Sequence, residues 1–135
     1  MVQIDLIYEG GLRVRATHGP SKTELVTDAP VDNLGKGESF SPSDLVATAL
    51  AACMTTIMGI VAERHRLDLK GMKVTVKKHM VTEPVRRIGR LELHFQIPNI
   101  SEEKDRKLLQ NAAMTCPVCR SLGADVERSF TWEWI

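Results

Sequence analysis

The sequence predicts an α+β fold, and three observations carry that expectation. Apolar and polar residues alternate in several short runs, one very apolar helical stretch separates two groups of those runs, and no regular strand–helix alternation links them. Strands segregated around a helix in this way point to an α+β class, not a doubly wound parallel sheet. With 135 residues, 43% hydrophobic and 26% charged, the chain is expected to form one domain over 1–135, being short for two well-cored ones.

The elements follow in order. "VQIDLIY" and "LRVRATH" alternate around Gly10 and Gly11, the pattern of a β-hairpin. On its second strand Leu12, Val14 and Ala16 face one way, so Arg13, Arg15 and Thr17 face the other. A short third strand, "TELVTD", precedes the loop "APVDNLGKGES". A helix opens at "SPSDL": Ser41 suits the N-cap, Pro42 the first helical position, and Asp44 puts a carboxylate where the dipole favours it. It is expected to run to about Arg66, apolar nearly all round, with Val46, Ala49, Leu50, Cys53, Ile57 and Ile60 on one stripe.

"MKVTVKKHM" and "RIGRLELHFQI" read as two more strands joined by "TEPVR". "SEEKDRKLLQNAA" reads as a second helix capped by Ser101. Pro117 removes a backbone donor, so a short new helix starts there, and "SFTWEWI" closes as a strand with Phe130, Trp132 and Trp134 on one face. The expected order is β-β-β-α-β-β-α-α-β. A helix apolar on nearly all sides needs more cover than one small sheet gives, so a homodimer is expected.

Charge narrows the partners. Eighteen basic and 17 acidic residues leave a net charge of +1, with no field to attract nucleic acid or an anionic membrane. Small molecules and a second copy of the chain remain as expected partners. The N-terminal "MVQIDLIYEGG" lacks the basic, apolar and small-residue regions of a secretory signal, so a cytoplasmic location is expected. The apolar run Leu45 to Val61 falls short of the roughly 20 residues of a membrane span and reads as a core helix. Three cysteines in a reducing compartment point to chemistry more than to structural disulfides.

Cys116 and Cys119, in "AMTCPVCRSL", stand three residues apart, and Cys53 lies far upstream. A zinc site would use C-x-x-C as half of its ligands. The other half would have to come from Cys53 and one of His18, His65, His79 or His94, which form no matching pair, so no metal is expected. A thioredoxin-like dithiol would follow a strand and open a helix near the start of a βαβ unit, whereas this motif follows a helical segment near the C-terminal end. The third reading pairs Cys53 with Cys116. Cys116 precedes Pro117 at a helix start, where backbone N–H groups favour a thiolate. Cys53, on an apolar face, is inert unless a cation lies close. Arg13 and Arg15 are the candidates, against the plainer alternative of two solvated arginines.

Taken together, "SPSDLVATALAACMTTIMGIVAERHRL", "GRLELHFQIP" and "LLQNAAMTCPVCRSL" resemble the OsmC/Ohr family of thiol-dependent hydroperoxide reductases. The likeness spans essentially the whole chain and rests on P-x-x-L opening the helix, A-A-C upon it, and C-P-V near the end. It implies an OsmC-like α+β fold, mainly antiparallel sheet wrapped around a long central helix, in an intertwined homodimer with active sites at the subunit interface. It implies that Cys53 is the peroxidatic thiolate and Cys116 the resolving thiol, 63 positions apart (116 − 53). Cys53 would become a sulfenic acid, condense with Cys116 to a disulfide, and be regenerated by an external dithiol reductant such as a protein-bound lipoyl group, with no bound cofactor. An apolar channel would suit an organic hydroperoxide better than hydrogen peroxide. The family's N-terminal arginine falls on Arg13 in "GGLR", with Arg15 second.

Two departures stand out. Where well-characterised branches carry P-E-x-L, "PSDL" places Ser43, leaving Asp44 or Glu38 as candidates for the missing carboxylate. Cys119 lies outside the pattern, either as a buried core residue or as a competitor to Cys116. The alternative function is a binding or sensing protein of the same fold, holding an apolar ligand at the dimer interface with little peroxidase activity.

Overall fold

The computed structural model describes all residues from Met1 to Ile135. Its first elements are the expected hairpin: β1 (Ile4–Gly10) and β2 (Arg13–His18), antiparallel, with β3 (Glu24–Asp28) on the far side of β2. Gly10 and Gly11 both have positive φ, +82° and +58°, which is why glycine stands at this turn. A short 3₁₀ turn at Val31–Asn33 follows. These elements form one compact unit, Met1–Val46, and Ala47–Ile135 form another.

Helix α1 (Pro42–Arg64) begins as the sequence predicts and stops two residues before Arg66. Ser41 and Asp44 close a reciprocal capping box. The Ser41 Oγ accepts from the Asp44 N–H at 3.1 Å, and the Asp44 carboxylate accepts from the Ser41 N–H at 2.9 Å. By length and composition this helix could cross a bilayer. It carries instead a buried stripe, Ala47, Leu50, Met54, Met58 and Ala62, that belongs to the core of the second unit. This corrects the expected stripe: only Leu50 is common to both, while Cys53 and Ile57 are half-buried and Ala49 and Ile60 exposed. On a helix that is apolar all round, hydrophobicity does not say which face turns inward; the shape of the opposing sheet does.

That sheet has the order β4 (Lys73–Val81), β5 (Arg87–Ile97), β6 (Glu127–Trp134). Strand β5 spans the eleven residues expected of it. It pairs antiparallel with β4 but parallel with β6, because α2 (Glu103–Ala113) and α3 (Pro117–Ser121) provide the crossover that a parallel pair requires. Its inward residues Leu91, Leu93, Phe95 and Ile97 are at most 2% exposed. Phe95 stacks on Trp132 with ring centroids 4.4 Å apart, the two residues being register partners. The N-cap of α2 is Glu102 and not Ser101.

Candidate active site

In the first unit the arginines of the hairpin are pinned by carboxylates. Arg13 and Asp28 are directly opposed in the β2–β3 register, so their side chains share a face. The guanidinium makes a two-pronged bond to the Asp28 carboxylate, Nε–Oδ1 2.7 Å and Nη2–Oδ2 2.8 Å, and a third bond to Glu38 at 3.0 Å. Asp28 is 2% exposed. The hydrogen bonds from Arg13 nonetheless hold its carboxyl below the usual range, outweighing the opposing effect of burial. The same bonds raise the Arg13 pKa further. Arg15, the second candidate, pairs with Glu9 at 3.1 Å and Glu24 at 3.3 Å.

Of the two carboxylates offered for the gap at Ser43, Glu38 binds Arg13, while Asp44 closes the capping box of α1. Ser43 lies against Ser41, Oγ to Oγ 3.2 Å. Asp28 was not among the expected site residues. The signal that would have found it is the antiparallel register of β2 and β3, which sets Asp28 directly opposite Arg13.

Because Asp28 titrates below its ordinary value, its contribution to stability is complete above about pH 4 and is lost as pH falls through its lowered folded value. Asp28→Asn is therefore expected to flatten the acid limb of the stability curve, measured by urea unfolding between about pH 5 and pH 2. An unchanged acid limb would show that the Arg13 bond does not hold the charge.

The second unit holds the three thiols, all unbridged, with Cys116 interacting with both Cys53 and Cys119. Cys53 projects from the middle of α1 and is half-buried, Cys116 is fully buried, and Cys119 is 8% exposed. The Cys53 and Cys116 thiols are close enough to interact electrostatically. Cys116 is the N-cap of α3, as expected, and its sulfur accepts the Cys119 N–H at 3.2 Å. The expected thiolate character is corrected, however. Burial pushes the Cys116 thiol up to about 11, against which the single N–H bond from Cys119 acts only in part. The neighbouring Cys53 and Cys119 thiols act in the same direction as burial.

Cys116 is thus expected to resist iodoacetamide at neutral pH and to react only as pH approaches about 11, followed by peptide mass mapping. Since its folded pKa lies above the ordinary 9.0, its contribution to stability is present below about pH 9 and is lost as pH rises through about 11.

Sequence reasoning also missed Arg128. From β6 its Nη1 donates to the Cys119 carbonyl at 2.6 Å and stands 3.8 Å from the Cys119 sulfur. The two residues stand nine apart in the chain, Cys119 in α3 and Arg128 in β6. An open groove of about 430 Å³ runs along α1 and β4, lined by Ala51, Ala52, Thr55, Met72 and Val74 among others. No group of three His, Cys, Asp or Glu side chains converges as metal ligands.

An α+β chain with paired helix-borne and loop-borne thiols is the class these features define. The sequence model described as OsmC-like protein matches residues 35–130, more than half the chain, and the protein belongs to that family. It is similar to a crystal structure from Psychrobacter arcticus 273-4, provisionally assigned to osmotic stress induction and detoxification response. The two are 41% identical, the match covers 98% of this chain and 96% of that one, and the TM-score is 0.93. A Legionella pneumophila organic hydroperoxide resistance protein OsmC shares the fold at 18% identity, with coverage of 98% and 96% and a TM-score of 0.78. An uncharacterized protein of Acinetobacter baylyi is 24% identical over 90% of this chain and 85% of its own length.

Proposed function

We propose that the protein is a thiol-dependent peroxidase that reduces organic hydroperoxides. The observation that carries this reading is the electrostatic interaction between the Cys53 and Cys116 thiols, 63 positions apart in the chain and brought together only by folding. The buried member holds its proton, which suits a thiol that waits. The half-buried Cys53 is the sulfur that substrate can reach.

In the proposed cycle the Cys53 thiolate attacks one peroxide oxygen. The O–O bond breaks, the alkoxide leaves and takes a proton, and Cys53 becomes a sulfenic acid. Cys116 then attacks that sulfur, water leaves, and the disulfide forms. An external dithiol of the lipoyl type opens it by exchange, and two thiols are restored. Arg13, held charged by Asp28 and Glu38, is assigned the cation of this chemistry on the strength of its place in "GGLR". An organic hydroperoxide is preferred over hydrogen peroxide in this reading because the family likeness implies an apolar channel. The cytoplasm, where free thiols persist, suits three unbridged cysteines.

A second copy of the chain completes the assembly in this reading. Strand β1 is an edge strand with Ile4, Leu6, Ile7 and Tyr8 each more than half exposed, an apolar edge that natural sheets cover. Sedimentation equilibrium is expected to give twice the 15.0 kDa of one chain, and Ile7→Lys to shift the population to single chains. A monomeric wild type would remove the second copy from the proposal.

The activity is tested by consumption of cumene hydroperoxide and hydrogen peroxide with dihydrolipoamide as reductant. Turnover well above that of free thiol, with the organic substrate preferred, supports the peroxidase. Turnover no faster than free thiol overturns it and turns attention to an apolar ligand in the groove.

A further inference from the structure

The two-thiol cycle leaves Cys119 without a task, yet its surroundings are not those of an inert core cysteine. It lies one helical turn from Cys116, at the third position of α3, with its N–H bonded to the Cys116 sulfur. Residues three apart in a helical turn have Cα atoms about 5 Å apart, inside the 4.4–6.8 Å span that a disulfide accepts. A guanidinium, that of Arg128, stands 3.8 Å from its sulfur and is locked there by the 2.6 Å bond to the Cys119 carbonyl. A small residue that merely fills space requires no cation at its polar atom.

We propose that Cys119 is a third redox thiol, which takes over the disulfide from Cys53. The step rests on the peroxidase reading, which supplies the oxidant. Once the Cys53–Cys116 disulfide has formed, the Cys119 sulfur, having lost its proton to solvent, attacks the Cys116 sulfur. The Cys116–Cys119 bond forms, the Cys53–Cys116 bond breaks, and Cys53 leaves as a thiolate. No net oxidation occurs; the disulfide only moves. Arg128 faces the charge on Cys119 as it attacks.

The direction follows from the geometry. Cys116 is the sulfur bonded to the Cys119 backbone and lies one turn away at the N-cap of α3, so it is the half of the disulfide that Cys119 attacks, and Cys53 is the sulfur expelled. The consequence is that Cys53 returns to its thiol form before any external reductant arrives.

The test is one equivalent of cumene hydroperoxide added to fully reduced wild type, followed by acid quench, alkylation and tryptic mapping over time. The proposal expects a cross-link between the Cys53 and Cys116 peptides that appears first and decays. An internal disulfide in the peptide from Leu108 to Arg120 replaces it, with Cys53 alkylated. In Cys119→Ser and Cys119→Ala, checked for folding by circular dichroism, the cross-link should persist. A persistent Cys53–Cys116 cross-link in wild type, with Cys119 alkylated, overturns the transfer and leaves the peroxidase standing. Formation of the internal disulfide in Cys53→Ser at the wild-type rate also overturns it, because Cys53 would then lie outside the path. A chain that stays fully reduced overturns both readings.

Discussion

Replacing Cys53 by serine is expected to abolish hydroperoxide consumption, with kcat/KM falling by at least about three orders of magnitude, the scale on which removing a nucleophile acts. The hydroxyl occupies nearly the same space, so the fold should survive, but oxygen cannot climb the oxidation ladder that a thiolate enters at sulfenic acid. Cys116→Ser separates the two roles. Cys53 should still consume about one equivalent of peroxide in a single turnover and then stall, passing to sulfinic acid under excess substrate. Stopped-flow consumption and intact mass of the product decide the matter. Full multiple-turnover activity in Cys53→Ser would remove this sulfur from the reaction altogether, and equal burst amplitudes in the two variants would mean that their roles are misassigned.

The largest expected loss of stability comes from Phe95→Ala. Phe95 sits on the central strand of its sheet, is fully buried and stacks on Trp132. Truncating a buried phenylalanine removes its transfer free energy and leaves a cavity, a loss of about 3–5 kcal/mol, to which the stacked ring pair adds about 1 kcal/mol. A urea midpoint lowered at unchanged m-value would express this. Val85→Ala, in the exposed turn between β4 and β5, serves as the control and should stay within about 0.5 kcal/mol of wild type. A Phe95→Ala midpoint no lower than the control's would mean that this core relaxes around the gap.

Much of this protein was legible along the chain. Period-two alternation gave β5 its full extent, and the pair Gly10–Gly11 marked the hairpin. "SPSD" announced a capped helix, and Cys116 before Pro117 announced an N-cap. Each of these is a local effect, set by backbone dihedrals and by residues within one turn or one strand. The likeness of its three long segments to a family added the roles proposed for Cys53 and Cys116, which no spacing rule supplies.

Other features depend on what lies across the fold. The inward stripe of α1 was misread because nearly every face of that helix is apolar, so only the opposing sheet selects one. Asp28 escaped notice because its partnership with Arg13 follows from strand register, and Arg128 because its bond to Cys119 joins β6 to α3. The thiol of Cys116 taught the same lesson through electrostatics. Its place at a helix start favours charge, but complete burial opposes charge more strongly, and burial is a property of the packed whole. The sequence by itself determined the elements, their caps and the kinds of side chain available for chemistry. Only the tertiary structure decided which of those side chains meet and that burial raises the Cys116 thiol, because contact and desolvation arise between segments that are distant in the chain.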